Sequence, residues 1–164
     1  MLCFRAKTEL GILMLDIDYF KNYNDDHGHD VGDLVLVEFT NLINDKLREG
    51  DIACRYGGEE FMLILPDAPI SSLEKRAVLI RDKLTELKIN HHGKTLNNIT
   101  VSIGIASYPI YAETPKGLIK AADMALYQAK ETGRDRTVIA KSLSSHAKEQ
   151  LLENEDLAQI SNLA

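Results

Sequence analysis

Two carboxylates follow the first apolar segment of the sequence. The run at residues 10–15 stops at Asp16, and Asp18 comes two residues later. Alternation along an extended strand puts both carboxylates on one side, where burial makes them costly unless a cation compensates their charge. Because Mg²⁺ favours one or two carboxylates together with phosphate oxygens, we predict that Asp16 binds a metal. For Asp18, metal binding and N-capping of a following helix are equally open.

A second acidic pair follows two glycines. Gly57-Gly58 is typical of a tight β-hairpin turn with positive φ angles, and Glu59 and Glu60 come directly after it. Glutamate is a poor strand former and like charges repel, so a purely structural role accounts badly for this pair. Adjacent strand residues point to opposite faces, so one glutamate can meet Asp16 while the other makes different contacts. The glycines also leave room for a nucleotide to pass over the turn.

A polar segment and a basic pair are further candidates. Residues 24–33 read NDDHGHDVGD, an ordinary polar loop by composition, in which a solvated role for either histidine outweighs metal binding. No third soft ligand lies nearby in the sequence, which argues against zinc. Lys130 and Arg134 are four residues apart and should share a helix face near its C-terminus, where either the helix dipole or a triphosphate would favour them.

Composition restricts the class of protein. The chain has 164 residues, of which 45% are apolar, without a low-complexity tract, which predicts a globular domain. A formal net charge of −6 argues against nucleic acid as a partner. Cys3 and Cys54 form no CxxC pair, and no signal peptide or bilayer-spanning run is visible. We therefore expect a cytoplasmic domain without membrane contact of its own, or one at the cytoplasmic face of the membrane if it belongs to a longer chain.

Hydrophobic periodicity predicts the elements that position these residues. Strands are predicted at residues 10–15, 51–56, 61–65, 99–108 and 137–140, and helices at 29–48, from a capping box at 71–74, and from Thr114 and Pro115 to Gly133. Residues 90–94 are predicted to form a surface turn. This order predicts an α/β protein of the α+β sandwich type, with a ferredoxin-like or palm-type βαββαβ core and a central, mostly antiparallel sheet flanked by helices.

Three motifs together resemble the GGDEF family of diguanylate cyclases. The pattern D-x-D-x-F-K-x-x-N-D-x-x-G-H-x-x-G-D matches residues 16–33, GG[D/E]EF matches residues 57–61, and A-D-x-A-L-Y-x-A-K-x-x-G-R matches residues 122–134. Each motif alone is weak, but the three in this order and spacing are specific. The resemblance covers residues 10–138 and implies a Mg²⁺-dependent enzyme, with Mn²⁺ possible, that joins two GTP molecules into cyclic di-GMP.

The resemblance implies a role for each site residue. Asp16, Glu59 and the backbone carbonyl of Ile17 would coordinate the metal, Glu59 would accept the proton of the 3′-hydroxyl, and Glu60 would support the metal site or the turn. The implied nucleotide-binding residues are Lys21, Lys130 and Arg134 for the β- and γ-phosphates, Asn24, Asp33 and nearby His29 for guanine, and Gly57 and Gly58 at the turn. One domain would hold one GTP, so a homodimer would be needed for catalysis.

A possible inhibitory site precedes the hairpin. Residues 48–51 match the R-x-x-D motif through which many such cyclases bind cyclic di-GMP as an inhibitor. The alternative is a helix end, with Arg48 on the last carbonyls and Asp51 starting a strand. A second arginine often completes the site, and Arg76 and Arg81 are both open.

The departure from the family pattern lies at the N-terminus. Residues 1–8 lack the family's D-x-L-T-G-L-x-N-R segment, which helps to wall the guanine pocket, so either the chain is truncated or the pocket closes differently. We expect a domain at residues 1–141 and a tail or peripheral helix at 142–164.

Two other functions are open: a catalytically weak module that senses GTP or cyclic di-GMP, and a palm-like polymerase fragment, against which the lack of a basic groove argues.

Overall fold

Helices and strands alternate through residues 9–91 and 93–142, which the computed structural model describes. Their order is β1 (Leu10–Ile17), α1 (Phe20–His27), α2 (His29–Asn44), β2 (Ile52–Arg55), β3 (Glu60–Pro66), α3 (Ile70–Glu86), β4 (Ile89–His91), β5 (Lys94–Leu96), β6 (Val101–Tyr108), α4 (Pro115–Glu131) and β7 (Thr137–Ile139). Within this part of the chain, five strands form one sheet in the order β2-β3-β1-β6-β7. Neighbouring strands are antiparallel except β6 and β7. The predicted α+β architecture is confirmed.

The central strand β1 is buried on both faces because helices cover both sides of the sheet. Leu13 and Leu15 belong to the core under α2 and α3, whereas Ile12 and Met14 belong to the core under α4. This explains the unbroken apolar run, since a strand covered on both faces has no solvent-facing position. Alternation then directs the next residue on the α4 side, Asp16, toward the end of the sheet that α4 covers.

Helix α4 lies very close to the sheet at Gly104. A Cβ at this position of β6 would lie 2.1 Å from the Ala122 carbonyl oxygen and 2.3 Å from the Leu126 nitrogen, both backbone atoms of α4. A glycine within a strand marks either a bulge or a close approach of another backbone, and at Gly104 the fold uses the close approach. Lys130, one helical turn beyond Leu126, is therefore held near the sheet.

The helix boundaries were predicted with mixed success. Thr114 caps α4 by accepting a hydrogen bond from the Gly117 N–H, and the helix ends at Glu131, two residues before Gly133, whose φ is +120°. The Arg134 N–H donates to the Ala129 carbonyl at 3.0 Å, which makes this end a Schellman motif. The capping box predicted at residues 71–74 is wrong, because α3 begins at Ile70 after Pro69 and has no side-chain cap.

Two short elements escaped the sequence prediction. Helix α1 buries only Phe20, so it carries no apolar stripe that periodicity could detect. The region predicted as a surface turn around residue 90 instead forms the hairpin of β4 and β5, whose strands have three residues each. The long helix predicted at residues 29–48 ends earlier, at Asn44.

Several predictions fall outside the described residues. Cys3 and the rest of residues 1–8 lie there, as do His92 and residues 143–164 of the predicted tail. Cys54 is a free, half-buried thiol. Across residues 9–91 and 93–142, none of the helices combines the length and apolar character that a membrane crossing requires.

Candidate active site

The acidic residues meet at one end of the central strand. Asp16 lies opposite Glu60 of β3 and opposite Ser102 of β6 in the antiparallel register. Directly opposite residues share a face of the sheet, so Asp16 and Glu60 are neighbours. The Ile17 N–H donates to the Glu59 carbonyl oxygen at 3.3 Å, which docks the turn before β3 against the end of β1. The fold thus brings together three of the four carboxylates that the sequence singled out: Asp16, Glu59 and Glu60.

Positive charge at this acidic edge comes from Lys130. Its Nζ lies 2.6 Å from Asp16 Oδ2, and Asp16 is only 7% exposed. Burial raises the pKa of the Asp16 carboxyl above its ordinary value of 3.8; Lys130 opposes this through its hydrogen bond and charge, while Glu59 and Glu60 raise the pKa further. One ammonium group therefore faces three carboxylates, and burial, the largest cause, together with the two glutamates outweighs Lys130 in raising the pKa of Asp16.

The donor set fits a hard cation that phosphate oxygens complete. Across residues 9–91 and 93–142, no three His, Cys, Asp or Glu side chains are arranged as a closed metal site. Mg²⁺ does not require one, because it is usually bound by one or two carboxylates and keeps its other positions for water and substrate phosphates. Buried Asp16, with Glu59 beside it, supplies carboxylate oxygens of this kind.

The turn that carries Glu59 differs from the one predicted. Strands β2 and β3 are joined by residues 56–59, and neither Gly57 nor Gly58 has a positive φ. The predicted β-hairpin is therefore present, but the positive φ angles expected at its glycines are not. A Cβ at Gly57 would lie 2.6 Å from Glu60 Oε2, whereas a Cβ at Gly58 would meet nothing within 4 Å. Gly57 accommodates the Glu60 carboxylate, and Gly58 leaves open space above the turn.

Arg55 holds this turn, a role that sequence reasoning missed. Its Nε lies 3.2 Å from the Gly57 carbonyl oxygen and 3.0 Å from that of Gly58, and its Nη2 lies 2.6 Å from the latter. The Tyr56 N–H closes the other side of the loop by donating to the Glu60 carbonyl oxygen at 2.7 Å. The available signal was an arginine, with its planar donor fork, two residues before a pair of glycines whose carbonyl groups no side chain screens.

The second predicted phosphate ligand lies beyond the helix. Arg134 follows the end of α4 at Glu131, so the prediction that Lys130 and Arg134 share a helix face is wrong. The Arg134 guanidinium lies over the Tyr19 ring, 4.9 Å from its centroid, beside the end of β1. Lys21 is exposed on the first turn of α1. The three predicted phosphate ligands thus belong to different elements, and of these Lys130 contacts Asp16.

The predicted guanine ligands lie on the pair of helices α1 and α2. Asn24 is packed against Gly32, where an added Cβ would lie 1.9 Å from Asn24 Oδ1. His29 and Asp33 are exposed on the first turns of α2, four residues apart and so on one helix face. Asn24 therefore lies beside the backbone that carries Asp33.

Asp18 has neither of the structural settings considered from sequence. It is 2% exposed and accepts hydrogen bonds from the hydroxyl groups of Thr100 and Ser102. The N-cap of α1 is Tyr19, without a side-chain cap, so the capping prediction for Asp18 is wrong. Three donors, including the Asp135 N–H, already occupy its carboxylate, which argues against metal binding.

The R-x-x-D residues form a compact ion cluster. Arg48 Nε lies 3.1 Å from Asp51 Oδ1, and Arg76 Nη1 lies 3.4 Å from Asp51 Oδ2, while the Asp51 side chain is fully buried. Arg81 instead binds Asp135 at 2.9 Å. Helix α2 ends well before Arg48, so the helix-end alternative is wrong. Of the two candidate second arginines, Arg76 is the one beside the motif.

The mostly antiparallel sheet and its acidic edge define a palm-like α+β domain. Residues 2–136 match the family model described as diguanylate cyclase, GGDEF domain. The chain belongs to the GGDEF family.

Similar proteins agree with this assignment. Diguanylate cyclase A of Treponema denticola is 43% identical over 83% of this chain, which spans 36% of that protein's length. The GGDEF domain of YfiN (TpbB) from Pseudomonas aeruginosa superimposes with a TM-score of 0.80 at 37% identity, covering 85% of this chain and 86% of that chain. The GGDEF domain of DgcB from Caulobacter crescentus, solved in complex with cyclic di-GMP, gives a TM-score of 0.80 at 33% identity. The match covers 86% of this chain and 81% of that chain.

Proposed function

We propose that this GGDEF domain is a diguanylate cyclase that condenses two GTP molecules into cyclic di-GMP and releases two pyrophosphates. The observation that carries the proposal is the acidic edge, where Asp16 lies with Glu59 and Glu60 and binds Lys130. Such a site favours a cation and, with it, phosphate oxygens. The similarity to diguanylate cyclase A of Treponema denticola supports the same activity.

The metal would be Mg²⁺, with Mn²⁺ as a substitute, held by Asp16, Glu59 and the Ile17 carbonyl. When bound, it would lower the pKa of the attacking hydroxyl and offset charge that grows on the phosphate oxygens. Lys130 would exchange its contact with Asp16 for the β- and γ-phosphates, together with Lys21 and Arg134. The 2.6 Å contact of Lys130 with Asp16 supports this, because the lysine already reaches the cation site.

The reaction forms one bond and breaks one bond at phosphorus. The 3′-oxygen of one GTP bonds to the α-phosphorus of the other, the bond from that phosphorus to the bridging oxygen breaks, and pyrophosphate leaves. Glu59 would accept the 3′-hydroxyl proton as the general base. Glu60, whose carboxylate lies against Gly57, would hold the turn that positions Glu59. The same step in the opposite sense closes the ring.

Base recognition and symmetry complete the proposal. Asp33 and Asn24 would read guanine, with His29 nearby, because guanine presents N–H donors on its Watson–Crick edge to a carboxylate. One domain would bind one GTP, so two copies would face each other across a two-fold axis. Cyclic di-GMP would bind at Arg48, Asp51 and Arg76 as an inhibitor, since paired arginine forks suit phosphate and guanine acceptors.

The activity is tested by incubating the protein with GTP and MgCl₂ and separating the products chromatographically at several protein concentrations. We expect cyclic di-GMP, with specific activity that rises with protein concentration because dimers form. Glu59→Gln should lower turnover about 10²- to 10⁴-fold, the usual contribution of a general base, with the fold retained in circular dichroism. Exposed Glu74→Gln, on α3, is the matched control and should behave as the parent protein.

A protein that binds GTP but makes no cyclic di-GMP at high concentration would be a sensing module, and the cyclase proposal would be refuted. Retained turnover in Glu59→Gln would refute the role of that residue alone.

A further inference from the structure

Asp18 connects the end of β1 to two distant parts of the chain. Its Oδ1 accepts a hydrogen bond from Ser102 Oγ at 2.7 Å, and its Oδ2 accepts from Thr100 Oγ1 at 2.8 Å and from the Asp135 N–H at 3.0 Å. Its own N–H donates to the Thr100 carbonyl oxygen at 2.9 Å. Three donors therefore occupy three of the about four acceptor positions of this buried carboxylate. The bond to Asp135 fixes the loop between α4 and β7.

That loop has an unusual backbone. Gly133, Arg134 and Asp135 have φ angles of +120°, +59° and +42°, and Tyr19, next to Asp18, has +56°. Residues with side chains rarely adopt these angles, and they persist only where surrounding contacts hold them. The strained residues lie on both sides of Asp18, whose hydrogen bond to the Asp135 N–H joins the two segments.

A second brace holds the same loop from α3. Arg81 Nη2 lies 2.9 Å from Asp135 Oδ1 and 2.5 Å from the Asp135 carbonyl oxygen. Asp135 is thus bound through its N–H by Asp18 and through its oxygens by Arg81. The neighbouring Arg134 donates its N–H to the Ala129 carbonyl oxygen at 3.0 Å and accepts at its own carbonyl oxygen from Arg136 Nε at 2.9 Å, while its guanidinium lies over the ring of Tyr19. Because Asp135 directly follows Arg134, the two braces on Asp135 help to fix the backbone from which the Arg134 guanidinium extends.

We infer that Asp18 is a positioning residue, which binds no substrate and holds Arg134 where it meets the phosphates of the nucleotide. The inference rests on the proposed function, in which Arg134 is a phosphate ligand. It separates the two aspartates of the first motif: Asp16 faces the cation, and Asp18 acts only through hydrogen bonds.

Hydrogen bonding and charge can be separated by substitution. In Asp18→Asn, the amide oxygen can still accept from Thr100 and from the Asp135 N–H, while the amide nitrogen donates to the Ser102 hydroxyl. In Asp18→Ala, the Asp135 N–H loses its acceptor. A positioning role therefore predicts that asparagine rescues function and alanine does not, whereas a metal ligand would lose function in both.

The experiment measures binding of 3′-deoxy-GTP, which has no 3′-hydroxyl to react, and of GMP, which has no β- or γ-phosphate, by calorimetry with MgCl₂. Asp18→Ala and Arg134→Ala should each weaken 3′-deoxy-GTP binding about 10-fold, equivalent to about 1.4 kcal/mol, and change GMP binding less than about 2-fold. Asp18→Asn should resemble the parent protein. Because Asp18 acts through Arg134, the double variant Asp18→Ala/Arg134→Ala should bind no more weakly than Arg134→Ala.

Additive losses in the double variant, or equal loss in Asp18→Asn and Asp18→Ala, would overturn the inference while leaving the cyclase proposal intact. An Arg134→Ala protein that binds 3′-deoxy-GTP normally would instead refute the phosphate role of Arg134, and the inference would fall with it. If Asp18→Ala shows no cooperative thermal unfolding transition, that variant is not folded. The variant Arg81→Ala is then used instead, because it removes the other brace on Asp135. The weakening of 3′-deoxy-GTP binding by Arg81→Ala should likewise vanish when Arg134→Ala is already present. An additive weakening would again overturn the inference.

Discussion

Two buried carboxylates in this protein have opposite charge surroundings. At the acidic edge, Asp16 shares one lysine with two glutamates, and its pKa is raised. At the R-x-x-D cluster, the fully buried Asp51 side chain lies between Arg48 and Arg76. The first site lacks positive charge, and the second has an excess of it. The first is therefore suited to a cation with its phosphates, and the second to an anionic ligand such as a cyclic dinucleotide.

The largest effect in this comparison is expected at the arginine cluster. Arg76→Ala should raise the cyclic di-GMP concentration for half-inhibition roughly 10-fold or more, because a forked, charge-assisted contact is lost. Arg81→Ala is the control, since Arg81 binds Asp135 instead. Inhibition is measured against each variant's own uninhibited rate. Equal inhibition of Arg76→Ala and the parent protein would show that the cluster does not bind the product.

An intermediate effect is expected from the two glycines of the acidic edge. Gly57→Ala pushes on the Glu60 carboxylate, whereas Gly58→Ala projects into open space. Neither substitution strains the backbone, because neither φ is positive. Gly57→Ala should lower kcat roughly fivefold with little change in KM, and Gly58→Ala should raise KM for GTP roughly fivefold with little change in kcat. Steady-state kinetics distinguish the two, and identical profiles would argue against separate roles.

The smallest effect concerns pH. The folded pKa of Asp16 lies above its ordinary value of 3.8, so the folded state retains a proton that the unfolded state has released. The resulting contribution to stability is complete below 3.8 and is lost as the pH rises through the folded pKa. Asparagine does not titrate, so Asp16→Asn should not lose this stability as the pH rises. Its free energy of unfolding should therefore increase relative to that of the parent protein over the same pH range. Urea unfolding in EDTA from about pH 3.5 to about pH 7.5 measures the difference in the free energy of unfolding, and parallel profiles would contradict the raised pKa of Asp16.

The elements that a single continuous pattern specifies could be predicted. Strand β1 has an apolar run because both of its faces are covered. Helix α4 is flanked in the sequence by a capping threonine and a terminal glycine. Helix α1 could not be predicted, since only Phe20 of its residues is buried and the rest carry no periodic signal. The hairpin of β4 and β5 is too short for alternation to be detected.

The candidate site divides in the same way. The sequence by itself determined which charged groups exist and that Asp16 follows a buried strand. Tertiary structure alone decided that Lys130 meets Asp16, that Asp18 binds Asp135, and that Arg76 lies beside Asp51 while Arg81 does not. The physical reason is that these partners belong to different elements, so their distances depend on strand order, register and the close approach of α4 at Gly104. No local pattern in the chain encodes those distances.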